Sequence, residues 1–518
     1  MKTSIFPTMS RLCVALVSAA ACVFVSAMLA AQICVTRPHA AWCAYSVAVV
    51  SLFWLVLEYG NRNLGRWFSR CEIWILVFAC LAVHRAMIAW LPEFGQAGMS
   101  APGDSKAALM ALNAGRICHM HHLRDLNWSN YEILISALGA LWGRSLSFGQ
   151  MLNGVCHAMV LLPIYRISEK IGGRGLARLT VILVAFSPPV IVYSALLATE
   201  CLSSMLLFYA AYFFLRVFDG EHSYGNLALT AAMSGVFLGL SNLFKAIGII
   251  FTCAAAICLL LWTMRELGLE RAKRAFMVFC IVVGCQSLSQ FAGQRSLASL
   301  AGDVEPPSSV GGQQTESMLV YELLIGLDVR HDGMFSGELI GKIRSWDEPE
   351  RERQLLAAVK RDWRRYPMLM VRKFCNIHGS HACRAGAVSH FSIMMRDFPR
   401  KEGGRYVLPR ICLLVDNGTF VLRLLLLLGA AGVFFTGKSF RLALPGVFSM
   451  LVILEFAAVE QLIEGHGRYK VAVYPFYFMA VPYLYAWFEK DNPVRARACG
   501  FIRKWAGRMG FSRFRLHS

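Results

Sequence analysis

The amino-acid sequence predicts an all-α polytopic membrane protein with about twelve transmembrane helices and two long extracytoplasmic segments. Of its 518 residues, 57% are hydrophobic and only 16% are charged, which is too little polar surface for a soluble protein of this size. Apolar runs of about 20 residues recur along the chain, and this length crosses a hydrocarbon core. Because lipid offers no hydrogen bonds to the backbone, continuous apolar runs of this length must be helices.

The apolar runs give the order of the spans. We predict transmembrane helices near residues 12–33, 40–58, 71–90, 149–168, 176–193, 199–218, 227–243, 246–264, 275–291, 411–435, 441–459 and 469–488. The first run has small residues near its end, as a signal peptide does. It is longer than the usual apolar region of about 7–15 residues, so we interpret it as an uncleaved signal anchor.

Basic clusters set the predicted topology. With a cytoplasmic N-terminus, alternation places every short basic loop on the inner side, as the positive-inside rule requires. The inner clusters are Arg62, Arg66 and Arg70; Arg166, Lys170, Arg174 and Arg178; Arg265, Arg271, Lys273 and Arg274; Lys438 and Arg441; and, in the tail, Arg495, Arg497, Arg503, Lys504, Arg508, Arg513 and Arg515. The net charge of +20 therefore needs no nucleic-acid partner.

Five regions follow from this topology. Two extra spans occupy residues 1–70, a transmembrane core occupies 71–291 and includes a first outer loop at 91–148, an extracytoplasmic segment occupies 292–410, further spans occupy 411–488, and a basic cytoplasmic tail occupies 489–518. Within the first outer loop, Ser105–Cys118 is a predicted helix. Tyr131–Trp142 is apolar but too short to span, which predicts a helix lying in the interface.

Several familiar signatures are missing from the sequence. The 17 cysteines form no CxxC pair and show no zinc spacing, and His119, His121 and His122 stand too close together for a single metal site. The Gly172–Gly175 run is predicted to be a cytoplasmic turn and follows no strand, so it is not a dinucleotide fingerprint. The sequence therefore predicts no metal site and no soluble nucleotide chemistry.

Asp104 is the first residue that could carry chemistry. It follows Pro102 and Gly103, which set a turn just after the third span. At the start of the next helix its carboxylate could serve as an N-cap. In a loop above the membrane, the same carboxylate could serve as a general base. Both interpretations stand on the sequence alone.

Three further ionisable residues are predicted near the outer ends of spans. Glu200 opens a span, where the helix dipole favours a carboxylate, and it could equally belong to a site. Lys245 lies between two spans, and Arg85 lies near the outer end of the third. Each cation could extend to the interface or pair with a carboxylate, and each could instead bind the phosphate of a lipid carrier.

The segment Glu464–Tyr469 precedes the last span, and Pro475 lies inside that span. Arg468 is the preferred phosphate ligand, because a guanidinium binds phosphate with two parallel hydrogen bonds. His466 and Tyr469 could contact substrate. The alternative is an interfacial Arg-Tyr anchor.

An ordered set of motifs runs along the first half of the chain: Arg85, Asp104, Leu141-Trp142-Gly143, Pro163-Ile164-Tyr165-Arg166, Ser187-Pro188 and Thr199-Glu200. With these motifs, the sequence from Asp104 to about Arg216 resembles bacterial membrane glycosyltransferases of the GT-C superfamily, related to dolichyl-phosphate-mannose–protein mannosyltransferases (glycosyltransferase family 39). The resemblance resumes at Gly326-Leu327-Asp328, Gly333, Tyr366-Pro367 and Lys373, and ends at Arg468-Tyr469 and Tyr474-Pro475. Two departures are Ser105, where the family often has a second acidic residue, and Ser129-Asn130-Tyr131, where proline is common.

The resemblance implies a GT-C fold and an inverting transfer of sugar from a polyprenyl-phosphate donor to an unidentified acceptor. This transfer would take place at the outer face of a bacterial inner membrane. Asp104 would be the base and Arg468 the phosphate ligand, with Lys245 and Arg85 as further phosphate ligands. Glu200 would orient the site, and Lys373 could contact substrate. The chemistry is compatible with a divalent metal but does not require a cofactor.

Two other functions fit part of the pattern. A polytopic transporter or lipid flippase would also have many spans and intramembrane ions, although inverted repeats are not evident. A catalytically silent assembly factor for envelope polysaccharide is the third interpretation. The large polar outer segment and the interface helix favour an enzyme that acts on a lipid-borne substrate.

Overall fold

The computed structural model describes twelve stretches of the chain and a few single positions. The stretches are residues 72–90, 126–142, 146–187, 190–191, 199–219, 223–265, 268–300, 323–331, 337–378, 421–429, 440–462 and 470–488. Over these residues the protein is helical and has no strand, as the sequence predicts. The spans predicted near 12–33 and 40–58 fall almost wholly outside the described residues, so the count of twelve stays a prediction.

The helices follow the predicted spans closely. They are α1 (Glu72–Trp90), α2 (Leu126–Trp142), α3 (Leu146–Ala185), α4 (Glu200–Arg216), α5 (Tyr224–Phe244), α6 (Gly248–Arg265), α7 (Leu269–Leu300), α8 (Gly337–Ser345), α9 (Glu348–Asp362), α10 (Tyr366–His378), α11 (Phe440–Leu462), α12 (Lys470–Phe478) and α13 (Val481–Phe488). In the described part of the chain, four helices are long and apolar enough to cross a membrane: α3, α5, α7 and α11.

Helix α3 is a hairpin of two arms. Gly173 has φ 79° and ψ 177°, a conformation that a residue with a Cβ rarely adopts. His157 on the first arm lies 3.2 Å from the carbonyl oxygen of Val184 on the second. In a straight helix these residues would be about 40 Å apart, so the chain reverses at Gly173. This confirms the turn predicted at Gly172–Gly175 between two spans.

Small residues bring α5 and α7 into close contact. A Cβ at Gly239 would lie 2.0 Å from Ser289 Oγ and 2.3 Å from the carbonyl oxygen of Gln286. A Cβ at Gly235 would lie 2.4 Å from the carbonyl oxygen of Val282. In lipid the hydrophobic effect does not drive helices together. Close packing between small residues therefore contributes to the stability of the bundle.

We expect Gly239→Ala to lower the free energy of unfolding by about 1–3 kcal/mol, because the new methyl group forces the two backbones apart. The control is Gly284→Ala on α7, where a Cβ would meet no atom within 4 Å. Thermal unfolding of the purified variants in one detergent measures both effects. Equal unfolding midpoints for the two variants would contradict the packing argument.

Aromatic rings fill the centre of the bundle. Phe208 on α4 packs on Phe476 of α12 with ring centroids 4.3 Å apart. Phe448 on α11 contacts Phe214 at 5.3 Å and Phe251 at 5.1 Å. All five rings are buried, so they join four helices into one core.

The helix ends form two opposite groups. A Cβ at Gly172 in the α3 hairpin would lie 3.1 Å from Pro482 Cβ, so α13 begins at the end of the bundle that holds the hairpin and α12 begins at the opposite end. Asp219 after α4 pairs with Lys170 in the same hairpin, so α4 also begins at the opposite end. The hydroxyl of Tyr483 on α13 accepts from Gly446 N at 3.1 Å and donates to the Leu442 carbonyl oxygen. Because Tyr483 lies late in the segment 470–488, which forms α12 and α13, and Leu442 lies early in α11, α11 runs antiparallel to α12 and α13. The end of α11 therefore joins the starts of α4 and α12.

Two of the basic clusters, one in the α3 hairpin and one between α6 and α7, lie at the other end. Lys170 in the α3 hairpin pairs with Asp219 after α4. Arg271 lies 5.6 Å from the Trp262 ring at the end of α6, and Arg274 lies 4.9 Å from the ring of Tyr224, which begins α5. The predicted alternation of inner and outer loops thus agrees with the way the helix ends are grouped in the structure.

Candidate functional site

A buried ion pair joins the start of α4 to the end of α5. The ammonium nitrogen of Lys245 lies 2.7 Å from Oε1 of Glu200, and the side chains are 14% and 0% exposed. Glu200 is in the first turn of α4, where the helix dipole favours a carboxylate. Lys245 follows α5 with extended backbone, φ −154° and ψ 124°. This break in the helix aims the lysine side chain at Glu200.

Polar groups surround the pair at the same end of the bundle. Ser203 and Ser241 lie 2.9 Å apart through their hydroxyls, and Asn242 Oδ1 accepts from Gly248 N at 2.7 Å. These contacts fix the short connection between α5 and α6 that carries Lys245. The lysine is therefore held by the pair and by a hydrogen-bonded turn, and both limit its freedom.

The predicted interface helix packs on this end. Asn130 Nδ2 on α2 donates to the Leu243 carbonyl oxygen at 2.8 Å, two residues before Lys245. The buried Tyr131 hydroxyl donates to Asn153 Oδ1 on α3 at 3.1 Å. The α2 helix therefore packs at the end of the bundle that holds the pair, and the Ser129-Asn130-Tyr131 departure supplies two of its contacts.

The pair has a clear electrostatic consequence. A fully buried carboxylate is tolerated only with a cation and hydrogen bonds to compensate its charge. Lys245 supplies that cation, and its side chain is more exposed than the carboxylate. An ammonium group carries three donors, and the contact with Oε1 of Glu200 occupies one of them.

Lys373 belongs to α10, and its side chain reaches the end of α11. Its ammonium donates to the Gly326 carbonyl oxygen at 3.0 Å and to the Gln461 carbonyl oxygen at 2.8 Å. The side chain is fully buried. Gly333, at φ 68°, leaves room for this stem, since a Cβ there would lie 2.6 Å from Lys373 Cδ. Three positions of the resemblance, Gly326, Gly333 and Lys373, thus form one unit that ties the outer segment to a bundle helix.

We expect Lys373→Met to lower the free energy of unfolding by about 2–4 kcal/mol, because two buried carbonyl oxygens lose a charged donor. Hydrogen exchange should rise in α10 and near Gly326. The matched control is Lys342→Met, whose exposed ammonium pairs with Glu338 and should contribute under about 1 kcal/mol. Unchanged exchange in the Lys373 variant would refute the tether.

Where the structure describes the outer segment beyond α7, short helices form it, among them α8, α9 and α10. Asp347 caps α9 by accepting from Glu350 N at 3.0 Å. Tyr366 begins α10, the helix that carries Lys373. Burial, with the nearby carboxylate of Asp362, raises the pKa of Tyr366 above its ordinary value. Its phenol is therefore protonated at neutral pH.

The remaining candidates are placed differently. Arg85 is exposed on α1, whose packing partner is α3. Asp104, His466, Arg468 and Tyr469 lie outside the described residues, as does the predicted Ser105–Cys118 helix. The structure brings Glu200 and Lys245 together. Gln461 and Lys470, the described residues around the 466–469 positions, belong to helix ends on the side of the bundle that holds the pair.

Sequence reasoning missed the polar residues that lie near the pair. Asn130, Ser203 and Asn242 lie within or beside apolar runs, and polar residues there are costly unless they have a partner. The cost of placing a polar residue in an apolar run was the signal that could have identified these residues. Their partners could not be named, because they lie on other helices.

The comparisons with known proteins agree with the predicted resemblance. The family model described as dolichyl-phosphate-mannose-protein mannosyltransferase matches residues 132–287, a stretch from α2 to α7 that contains Glu200 and Lys245. The resemblance predicted from the sequence is confirmed over these residues. No curated protein sequence matches the chain.

Two solved structures resemble the chain weakly. Archaeal oligosaccharyltransferase AglB from Archaeoglobus fulgidus, in complex with an inhibitory peptide and a dolichol-phosphate, is 14% identical with a TM-score of 0.41, over 84% of this chain and 52% of that one. The apo form of the Archaeoglobus fulgidus oligosaccharyltransferase is 12% identical with a TM-score of 0.38, over the same shares. This chain thus spans about half the length of either structure.

Proposed function

We propose that this protein is an inverting glycosyltransferase that moves a sugar from a polyprenyl-phosphate carrier to an acceptor at the outer face of a bacterial inner membrane. The observation that carries the proposal is the buried Glu200–Lys245 pair, which lies inside the stretch that matches the mannosyltransferase family. The pair lies at the bundle end opposite the basic clusters. The positive-inside rule assigns that end to the outside.

The roles follow from the chemistry of the donor. The acceptor oxygen attacks the anomeric carbon while the bond to the phosphate oxygen breaks, which inverts that carbon. Asp104 takes the acceptor proton as general base. The phosphate leaves as a weak base, so it needs no general acid, in contrast to an ordinary glycoside.

Cations stabilise the charge that grows on the departing phosphate. Arg468 is the main ligand, and Lys245, oriented by Glu200, is the second. Arg85 would approach the phosphate from α1, and His466 and Tyr469 would contact the sugar. For Lys373, the observed contacts support a positioning role. Arginine and lysine can supply this charge, so the chemistry allows a divalent metal without requiring it.

The proposal is tested by transfer with purified protein in nanodiscs. Isotope-labelled polyprenyl-phosphate sugars are supplied with a membrane extract as the source of acceptors, and products are identified by mass spectrometry. We expect labelled acceptor together with free polyprenyl phosphate, and none in empty nanodiscs. Protein that moves labelled solute or lipid across a vesicle membrane but transfers no sugar would instead be a transporter or flippase.

The proposed topology has its own test. Reporters fused after residues 104 and 466 should both report the extracytoplasmic side. Fusions after residues 174 and 274, inside two basic clusters, should report the cytoplasm and serve as controls. Reporters at 104 and 466 on opposite sides would remove the proposed site.

A further inference from the structure

Three atoms that can bind a metal converge between α1 and α3. Cys80 and His84 lie one helical turn apart on α1, and His157 faces them from the first arm of α3. His84 Nε2 lies 2.8 Å from His157 Nδ1, and Cys80 Sγ lies 3.9 Å from the same nitrogen. The three atoms all lie within 4.8 Å of one another, and all three side chains are buried.

The surroundings hold both rings in place. His157 Nε2 lies 3.2 Å from the Val184 carbonyl oxygen, so that nitrogen carries the proton and the Nδ1 lone pair faces Cys80 and His84. Histidine ligands of metals nearly always donate their other nitrogen in this way. Gly154 leaves the space for His84, because a Cβ there would lie 3.0 Å from His84 Cβ. Val184 therefore holds the ring of His157, and Gly154 leaves room for the ring of His84.

Hydrogen bonding explains little of the position of the Cys80 thiol. One proton lies between the two histidines, and the thiol reaches the Ala185 carbonyl oxygen only at 3.7 Å. A thiol is a weak donor, so this contact explains little of why a cysteine faces two imidazoles. A soft metal ion would use all three lone pairs at once.

We propose that Cys80, His84 and His157 form a binding site for monovalent copper. Thiolate and imidazole ligands suit this soft ion. One thiolate and one Cu⁺ are neutral together, which matters inside an apolar bundle where a net charge is costly. Zn²⁺ with the same ligands would keep a positive charge, and structural zinc takes four ligands.

Binding needs small changes. The Cys80 thiol releases its proton, and the proton on His84 Nε2 moves to Nδ1 of the same ring, so one proton leaves and copper stays monovalent. Metal–nitrogen distances of about 2.0 Å in a trigonal site require the two nitrogens to separate from 2.8 Å to about 3.5 Å. The bound ion would clamp α1 to the α3 hairpin and fix the position of Arg85, the next residue after His84.

The test uses the full-length protein in detergent with Cu⁺ kept reduced by ascorbate. Competition against bicinchoninate should give one tightly held copper per chain. Cys80→Ser and His157→Gln should each weaken binding by more than about 100-fold, since even outer-shell changes cost 10–100-fold. Cys258→Ala, which removes an equally buried cysteine on α6, should bind copper as the wild type does.

X-ray absorption of the wild-type protein keeps the test independent of how the variants fold. We expect one sulfur and two nitrogen neighbours around copper, and a higher unfolding midpoint with copper than without. A wild type that retains no copper, or variants that retain it unchanged, would show a purely structural histidine pair. Retention of Zn²⁺ in preference to Cu⁺ would overturn the choice of metal.

Discussion

Lys245→Met is expected to lower the free energy of unfolding by about 3–5 kcal/mol, because it leaves the Glu200 carboxylate buried without its cation. The carboxylate is fully buried and 2.7 Å from the ammonium, so water cannot replace the lost partner. Denaturant unfolding in a fixed detergent measures the loss. The matched control is Lys273→Met, which breaks an exposed pair of 2.8 Å with Glu270 and should change stability by under about 1 kcal/mol.

A double variant separates structure from function at this pair. Glu200→Gln with Lys245→Met removes both charges, and stability should recover largely, because two neutral side chains need no compensation. Sugar transfer should stay at the level of the Lys245 single variant, because the proposed phosphate ligand is still missing. If transfer returns together with stability, the pair is structural and Lys245 binds no phosphate.

Asp104→Asn is expected to reduce sugar transfer by about 10²–10⁴-fold while leaving stability unchanged. The size is that of losing a general base. Asparagine caps a helix about as well as aspartate does, so this substitution keeps the capping role and removes only the basic one. Transfer in nanodiscs and thermal unfolding are measured on the same preparation.

Two further variants sharpen this result. Asp104→Ala removes the cap as well and should cost about 0.5–2 kcal/mol of stability. Asp303→Asn, in the other outer segment, should leave transfer unchanged. Full transfer by Asp104→Asn would reduce Asp104 to an N-cap and leave the proposed reaction without a base.

The helix order could be read from the sequence because each apolar run is long and each turn is marked. The Gly172–Gly175 turn and the position of Glu200 at a helix start were both predicted and are observed. Helix α7 is longer than its predicted span of 275–291 because its ends are polar, and hydropathy measures the apolar part of a helix only.

Pairings across the bundle could not be predicted in the same way. Lys245 was expected to reach the interface, to pair with a carboxylate or to bind a phosphate. Its observed partner lies 45 residues away, and helix periodicity does not identify neighbouring helices. For Lys373 the resemblance implied a contact with substrate, and its burial depends on Gly326 and Gln461 from two other elements. The cysteine–histidine cluster joins residues 73 apart, far beyond any local metal motif.

The reversal at Gly173 also bears on how the protein is made. Its two arms share a turn of only a few residues, so we expect residues 146–185 to enter the membrane together as one hairpin. The contact between His157 and the Val184 carbonyl oxygen can form only after the second arm has been translated. Because α1 precedes α3 in the chain, α1 is translated before the surface on which it packs.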